Sequence, residues 1–269
     1  MKYTTTVLIC FSIFSIHLMM IGMAQEMENK VSPPPMSIVM YEEPTDKQWE
    51  ILQKIDFPFH LHLCFLEPFP EKSATLDKLK NLSTLHFLEV TGDSINDGIL
   101  ECVKDLPSLE HVRFQHCDSL TDQGMQSVAE LKKLKNLEVI NCSNISSTSF
   151  HIFHQHPLLE SLHIEGCMGV TNQIISELFQ IPKLRKLSLV CNHHCTFTEE
   201  NYEQFAKLND LEILSLSPCE NLTRQNVFRI LQKLPNLRLL YMERCPEITA
   251  EDRKELQKKF PDVMIVIDE

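Results

Sequence analysis

Histidine and cysteine are the residues of this chain best equipped for chemistry, with 12 of the first and 10 of the second. Imidazole and thiolate are the usual ligands of zinc, so their spacing is tested first. Cys191, His193, His194 and Cys195 crowd one short stretch. A tetrahedral cage needs four converging donors, and adjacent histidines diverge, so this stretch reads as a surface insertion. His151, His154 and His156 fall in a helix and its exit, where a solvated face accounts for them. No metal and no cofactor is expected. The chain also lacks G-x-S-x-G, H-E-x-x-H, a Walker loop and a dinucleotide fingerprint, so it is not expected to be an enzyme.

Most of the cysteines instead obey a period. Cys117, Cys142, Cys167, Cys219 and Cys245 each close the pattern L-x-x-L-x-L-x-x-C, in which other apolar residues may replace leucine. The copies run Leu109-Val112-Phe114, Leu134-Leu137-Val139, Leu159-Leu162-Ile164, Leu211-Leu214-Leu216 and Leu237-Leu240-Met242. Leu184-Leu187-Leu189 ends on Asn192 instead, and Leu82-Leu85-Phe87-Val90 is read as the first clear copy. Such alternation describes a short strand with one buried face. The repeated position makes these cysteines small buried groups at a bend, with free thiols, although an exported chain would permit disulfides. Cys102 is placed on the inner face of a helix.

A second register has different chemistry and the same period. Asn96, Thr121, Ser146, Thr171, Thr198, Thr223 and Thr249 are good helix N-caps, each preceded by an apolar residue. A capping oxygen accepts a free N–H of the first turn, and the apolar residue before it pins the entering chain. Thr45 and Ser73 extend the series less regularly. One unit is therefore a strand, a bend and a crossing helix of about ten residues, the length that parallel strands require. Strands stack more closely than helices, so a row of such units must curve with its helices outside.

These residues resemble the leucine-rich-repeat family, and the cysteine at the bend resembles its cysteine-containing class, known from F-box proteins. The ending, from Ile248-Thr249 through Phe260-Pro261 to Met264-Ile265-Val266, is similar to exported bacterial leucine-rich-repeat proteins. The resemblance implies an α/β fold: a curved solenoid with a parallel sheet on the concave face and helices on the convex face. It implies a binding scaffold whose partner is another protein. The predicted organisation is a signal peptide at 1–24, a Pro-rich linker at 25–36 and the repeat domain at 37–269, with degenerate repeats before residue 82 and a terminal strand near 264–267.

Export is read from Met1-Lys2, an apolar run from Val7 to Met23, and small residues at Gly22 and Ala24 that a signal peptidase would read. An uncleaved anchor is the alternative, and no other membrane contact is expected. A net charge of −12 without a basic cluster argues against nucleic acid as a partner, and none is expected. Only 6 glycines argue against phosphate loops, while 43% hydrophobic residues suffice for a core. The chain is thus expected to be a secreted, periplasmic or cell-surface binding protein. A cytosolic substrate receptor of a ubiquitin ligase is the alternative reading, and a cell-surface hydrolase a more distant one. The first would need several helices before the repeats, where Thr45 to Ile55 offers one. Of the sequons at Asn81, Asn141, Asn144 and Asn221, three overlap recurring turn residues.

The side chain between the last two apolar positions of each strand faces out of the concave surface. That column reads His62, His86, Arg113, Glu138, His163, Ser188, Ser215 and Tyr241, with His60, Thr84, His111 and Asn136 beside its first half. The candidate binding residues are His62, His86, His111, Arg113, Glu138, His163 and Tyr241. Histidines gathered in this way would gain positive charge in acid and favour an anionic partner there.

Overall fold

A computed structural model describes residues 36–64, 76–92, 96–190, 197–217 and 222–268. Its strands are β1 (Met36–Met40), β2 (Phe59–Cys64), β3 (Leu85–Thr91), β4 (His111–Gln115) and β5 (Asn136–Ile140). They continue as β6 (Ser161–Glu165), β7 (Lys186–Val190), β8 (Ile213–Ser217), β9 (Leu239–Glu243) and β10 (Met264–Asp268). All pair in parallel and in chain order within one sheet. The crossings are α1 (Asp46–Leu52), α2 (Asp97–Val103), α3 (Asp122–Ala129), α4 (Gln173–Leu178), α5 (Glu199–Gln204), α6 (Arg224–Lys233) and α7 (Ala250–Lys259), with 3-10 turns at Leu76–Asn81, Ser147–Gln155 and Phe205–Lys207. This is the curved leucine-rich-repeat solenoid, with its helices on the convex side. The signal peptide, most of the linker, Ser73, Cys191 to Cys195 and Cys219 lie outside the described residues, and β1 already begins at the linker's last residue, Met36.

The pattern leucines fill the core. Leu137, Leu162, Leu187, Leu214 and Leu240 stack along the inner face of the sheet, each at most 2% exposed. Most helices start where the caps place them. Thr45, Thr198, Thr223 and Thr249 form capping boxes, their hydroxyls accepting from the backbone of Gln48, Asn201, Asn226 and Asp252. Asn96, Thr121 and Ser146 cap through single bonds. Thr171 does not cap: α4 starts after Asn172, without a side-chain cap bond. The backbone N–H of Thr171 donates to Ser147 Oγ at 2.8 Å and its carbonyl accepts from the same hydroxyl at 3.2 Å, which ties it to the preceding repeat. Aspartates do the same elsewhere. Asp97 accepts from the N–H and hydroxyl of Thr121, and Asp122 from those of Ser146.

The bend falls one residue before the cysteine. His116, Asn141, Gly166 and Arg244 all turn left-handed there, with φ of 54°, 52°, 62° and 53°. Only Gly166 is free of Cβ strain, and a Cβ on it would sit 2.0 Å from Asn141 Oδ1. Each following thiol then donates to the carbonyl two residues back: Cys117 to Gln115 and Cys167 to Glu165 at 3.3 Å, Cys142 to Ile140 at 3.4 Å, and Cys245 to Glu243 at 3.5 Å. In three of these turns the same carbonyl also accepts a backbone N–H from the preceding repeat, Gly92 on Gln115 at 3.1 Å, His116 on Ile140 at 2.9 Å and Asn141 on Glu165 at 2.7 Å, so the thiol is its second donor. All four are buried, and none is in a disulfide. Contact with Cys117, followed by burial, pushes the Cys142 thiol up; burial first lifts Cys167 to about 12.

One strand departs from its expected register. β3 pairs with β4 through Phe87 opposite His111, Leu88 opposite Val112 and Glu89 opposite Arg113. The repeat leucines of β3 are therefore Leu85, Leu88 and Val90, three residues beyond the Leu82-Leu85-Phe87 reading. Leu82 is also buried, closing the 3-10 turn, so two sets of apolar residues compete for one pattern.

Candidate functional site

The concave face is built from alternate residues of each strand. Its central column, in the observed register, is His62, Glu89, Arg113, Glu138, His163, Ser188, Ser215 and Tyr241. The row beside it begins His60, Phe87, His111 and Asn136. Glu89 and Phe87 thus take the places expected for His86 and Thr84. His86 sits outside the column, 3.4 Å from Glu110 at the entrance to the strands.

Five of these side chains form one connected group. Arg113 meets Glu138 at 2.6 Å through Nη2 and at 2.7 Å through Nε, and lies 3.6 Å from Glu89. His111 Nε2 reaches the other Glu138 oxygen at 2.7 Å. His62 approaches Glu89 at 3.9 Å and meets the Thr91 hydroxyl at 3.0 Å. Burial opposes ionisation of Glu138, but the His111 bond and the Arg113 charge outweigh it and bring its carboxyl down to about 2. Burial likewise opposes the Arg113 charge, and Glu138 and Glu89 reverse that, raising it above its ordinary range.

Phe87 supplies the apolar part. Its ring stacks on His111 at 4.0 Å, receives His60 edge-on at 4.9 Å and lies 5.9 Å from the Arg113 guanidinium. It stays half-buried instead of closing into the core. Burial, then the neighbouring His111 and His86, lowers the affinity of His60 for a proton. In the register expected from sequence Phe87 is a core residue; its place on the face becomes legible only by counting back 24 residues from His111.

The remaining candidates continue along the column, with His163 opposite Glu138 on the next strand. His163 is nearly buried and meets Glu165 at 3.0 Å. Tyr241, at the far end, is 6% exposed with its hydroxyl donating to Asp268 at 3.3 Å. Ahead of the strands runs a ladder of alternating charge, in which Glu110 meets Lys135 at 2.7 Å and Arg185 meets Glu212 at 2.5 Å. On the convex side, His156 is not the solvated residue expected: it is buried and its Nε2 meets the Leu131 carbonyl at 3.0 Å. His151 and His154 do lie on the helical face, but Glu177 of the next repeat joins them, a neighbour that the spacing of the histidines does not reveal. Cys102 packs against the core as expected, its thiol raised to about 11 by burial first and by Asp77 after it.

No protein-family model and no curated protein matches the chain. Solved structures do. An internalin, inlF, from Listeria monocytogenes superposes with a TM-score of 0.52 at 16% identity, covering 77% of this chain and 53% of that one. TLR13, solved in a complex with ssRNA13, gives 0.57 at 20%, covering 80% and 29%. The yeast Rad7 and Elc1 complex gives 0.58 at 17%, covering 87% and 68%. This chain spans about half of the internalin chain and less than a third of the TLR13 chain. At identities this low the superpositions show the shared leucine-rich-repeat fold alone.

Proposed function

We propose that this chain is an exported, non-catalytic scaffold that binds another protein through the N-terminal half of its concave face. The observation that carries the reading is Phe87. A half-buried aromatic ring, held on an open sheet face between two imidazoles and a guanidinium, is the kind of anchor that dominates protein interfaces. The surrounding ion pairs fix its position before any partner arrives, so little ordering is lost on binding.

The face also changes sign with pH. At neutral pH, Glu89, Glu138 and Glu165 outnumber Arg113 along these strands. Protonation of His60, His62, His111 and His163 reverses that balance, so an anionic partner surface binds more tightly in acid. Burial disfavours the charged form of His60.

The test is the affinity of the partner for the chain and two variants. Phe87→Ala should weaken binding about thirtyfold, the loss of a hot spot worth about 2 kcal/mol. The exposed convex variant Gln126→Ala should leave it unchanged. Equal affinity for Phe87→Ala and the parent chain would refute the concave reading. Export has its own check: a mature chain taken from the native host should start at Gln25, and an intact Met1 on a soluble product would refute cleavage.

A further inference from the structure

The convex face carries a set of side chains that protein binding on the other face does not use. The 3-10 helix Ser147–Gln155 runs nine residues, although such helices seldom exceed four because their hydrogen bonds are poorly aligned. With three residues per turn, side chains at i and i+3 eclipse. His151 and His154 therefore sit one above the other, their rings edge to face with centroids 4.4 Å apart. One repeat further on, α4 delivers Glu177 to the same spot. Its Oε2 lies 3.1 Å from His151 Nδ1 and 3.0 Å from His154 Nε2.

The three donor atoms lie within 4.8 Å of one another. Zinc bonds to nitrogen and oxygen of about 2.1 Å put neighbouring ligand atoms of a tetrahedron about 3.4 Å apart. The carboxylate-to-nitrogen edges are already close to that. His154 Nε2 supplies an independent sign. It is shut off from solvent and makes no hydrogen bond, because Glu177, though near, lies out of line. A buried ring nitrogen facing a carboxylate without bonding to it is placed to share a third atom with it.

We propose that His151, His154 and Glu177 form a binding site for a divalent transition-metal ion, zinc foremost, that fastens the 3-10 crossing Ser147–Gln155 to α4. Two imidazoles and one carboxylate suit zinc better than the hard cations, which take oxygen alone. His151 is 71% exposed, so the fourth position opens to water. The ion would offset the weak hydrogen bonding of the long 3-10 segment by cross-linking it to the α-helix beside it.

The test is a cobalt(II) titration of the chelator-stripped full chain, followed by optical spectroscopy. One equivalent should bind and give visible d–d bands without the near-ultraviolet sulfur-to-metal transition that cysteine ligation produces. His154→Gln and Glu177→Gln should each weaken that binding about tenfold or more. His151→Asn changes the most exposed ligand and keeps the test open if either of those fails to fold. Added zinc should raise the thermal midpoint of the parent chain and not that of the variants. Saturable binding that survives all three substitutions, a spectrum dominated by sulfur, or no binding at all would overturn the site and leave His151 and His154 as a plain ion-paired cluster.

Discussion

A charged side chain on a sheet face can point to solvent, wait for a partner, or pair with its neighbours. Arg113 has paired. Its sequence position marks it as concave, but only the structure shows Glu138 and Glu89 closing on it from the strands at either side. An arginine held this way positions others more than it grips a ligand, and Glu138 is the group that holds it. Glu138→Gln should cost about 3 kcal/mol at pH 7, since it leaves a largely buried guanidinium short of its main partner. The pH dependence follows from the Glu138 carboxyl, which sits at about 2 in the folded chain against an ordinary 4.5. A depressed pKa gives stability that is present above about pH 4.5 and lost as pH falls towards about 2. Denaturant melts at pH 7, 4 and 3 should show this acid limb in the parent chain and a flatter one in Glu138→Gln; equal limbs would mean that the pair contributes nothing. The cysteines are legible from sequence for the opposite reason. Their repeat position alone implies burial, and the structure adds the carbonyl that each thiol serves. Denatured mature protein kept from reductant should titrate close to nine thiols, and a bond from Cys142 to Cys117 or Cys167 would contradict it.

At the level of elements, strands and most helix starts can be read because two patterns of different chemistry recur together. The failures come where one position satisfies two patterns. Leu82 and Leu85 both suit the first leucine, and pairing with β4 chooses Leu85; the choice moves Glu89 and Phe87 onto the face and His86 off it. Thr171 suits a cap but is captured by Ser147 from the repeat before. Long-range pairing decides both cases, and no local pattern contains it. The left-handed residue before the four described repeat cysteines is similar: His116 and Arg244 carry no glycine signal, and the sheet register imposes their turn. Where the signal is strong the energetic consequence is simple. Leu187→Ala, in the middle of the stack and 2% exposed, should cost about 2–5 kcal/mol in chemical denaturation. A loss below about 0.5 kcal/mol, the size of a surface effect, would mean that Leu187 is not core.

For the whole molecule, each repeat buries its apolar face only against its neighbours, so stability is shared along the row and function belongs to surfaces that span several strands. The candidate face has that character. His62, Glu89, Arg113 and Glu138 come from four consecutive strands, and Phe87 and His111 flank them. Its general location is legible from the alternation of the strands; its anchor is not, because a phenylalanine in a strand reads as core until the register is known. What matters most for function is whether a protein partner docks on this face. Photo-crosslinking answers that while the partner is still unidentified. A photoreactive residue is placed in the full chain at Phe87 or, as the convex comparison, at Gln126, and each chain is irradiated in its native host. A discrete protein adduct is expected from position 87 and none from position 126. An adduct from 126 with nothing from 87 would contradict docking on the concave face.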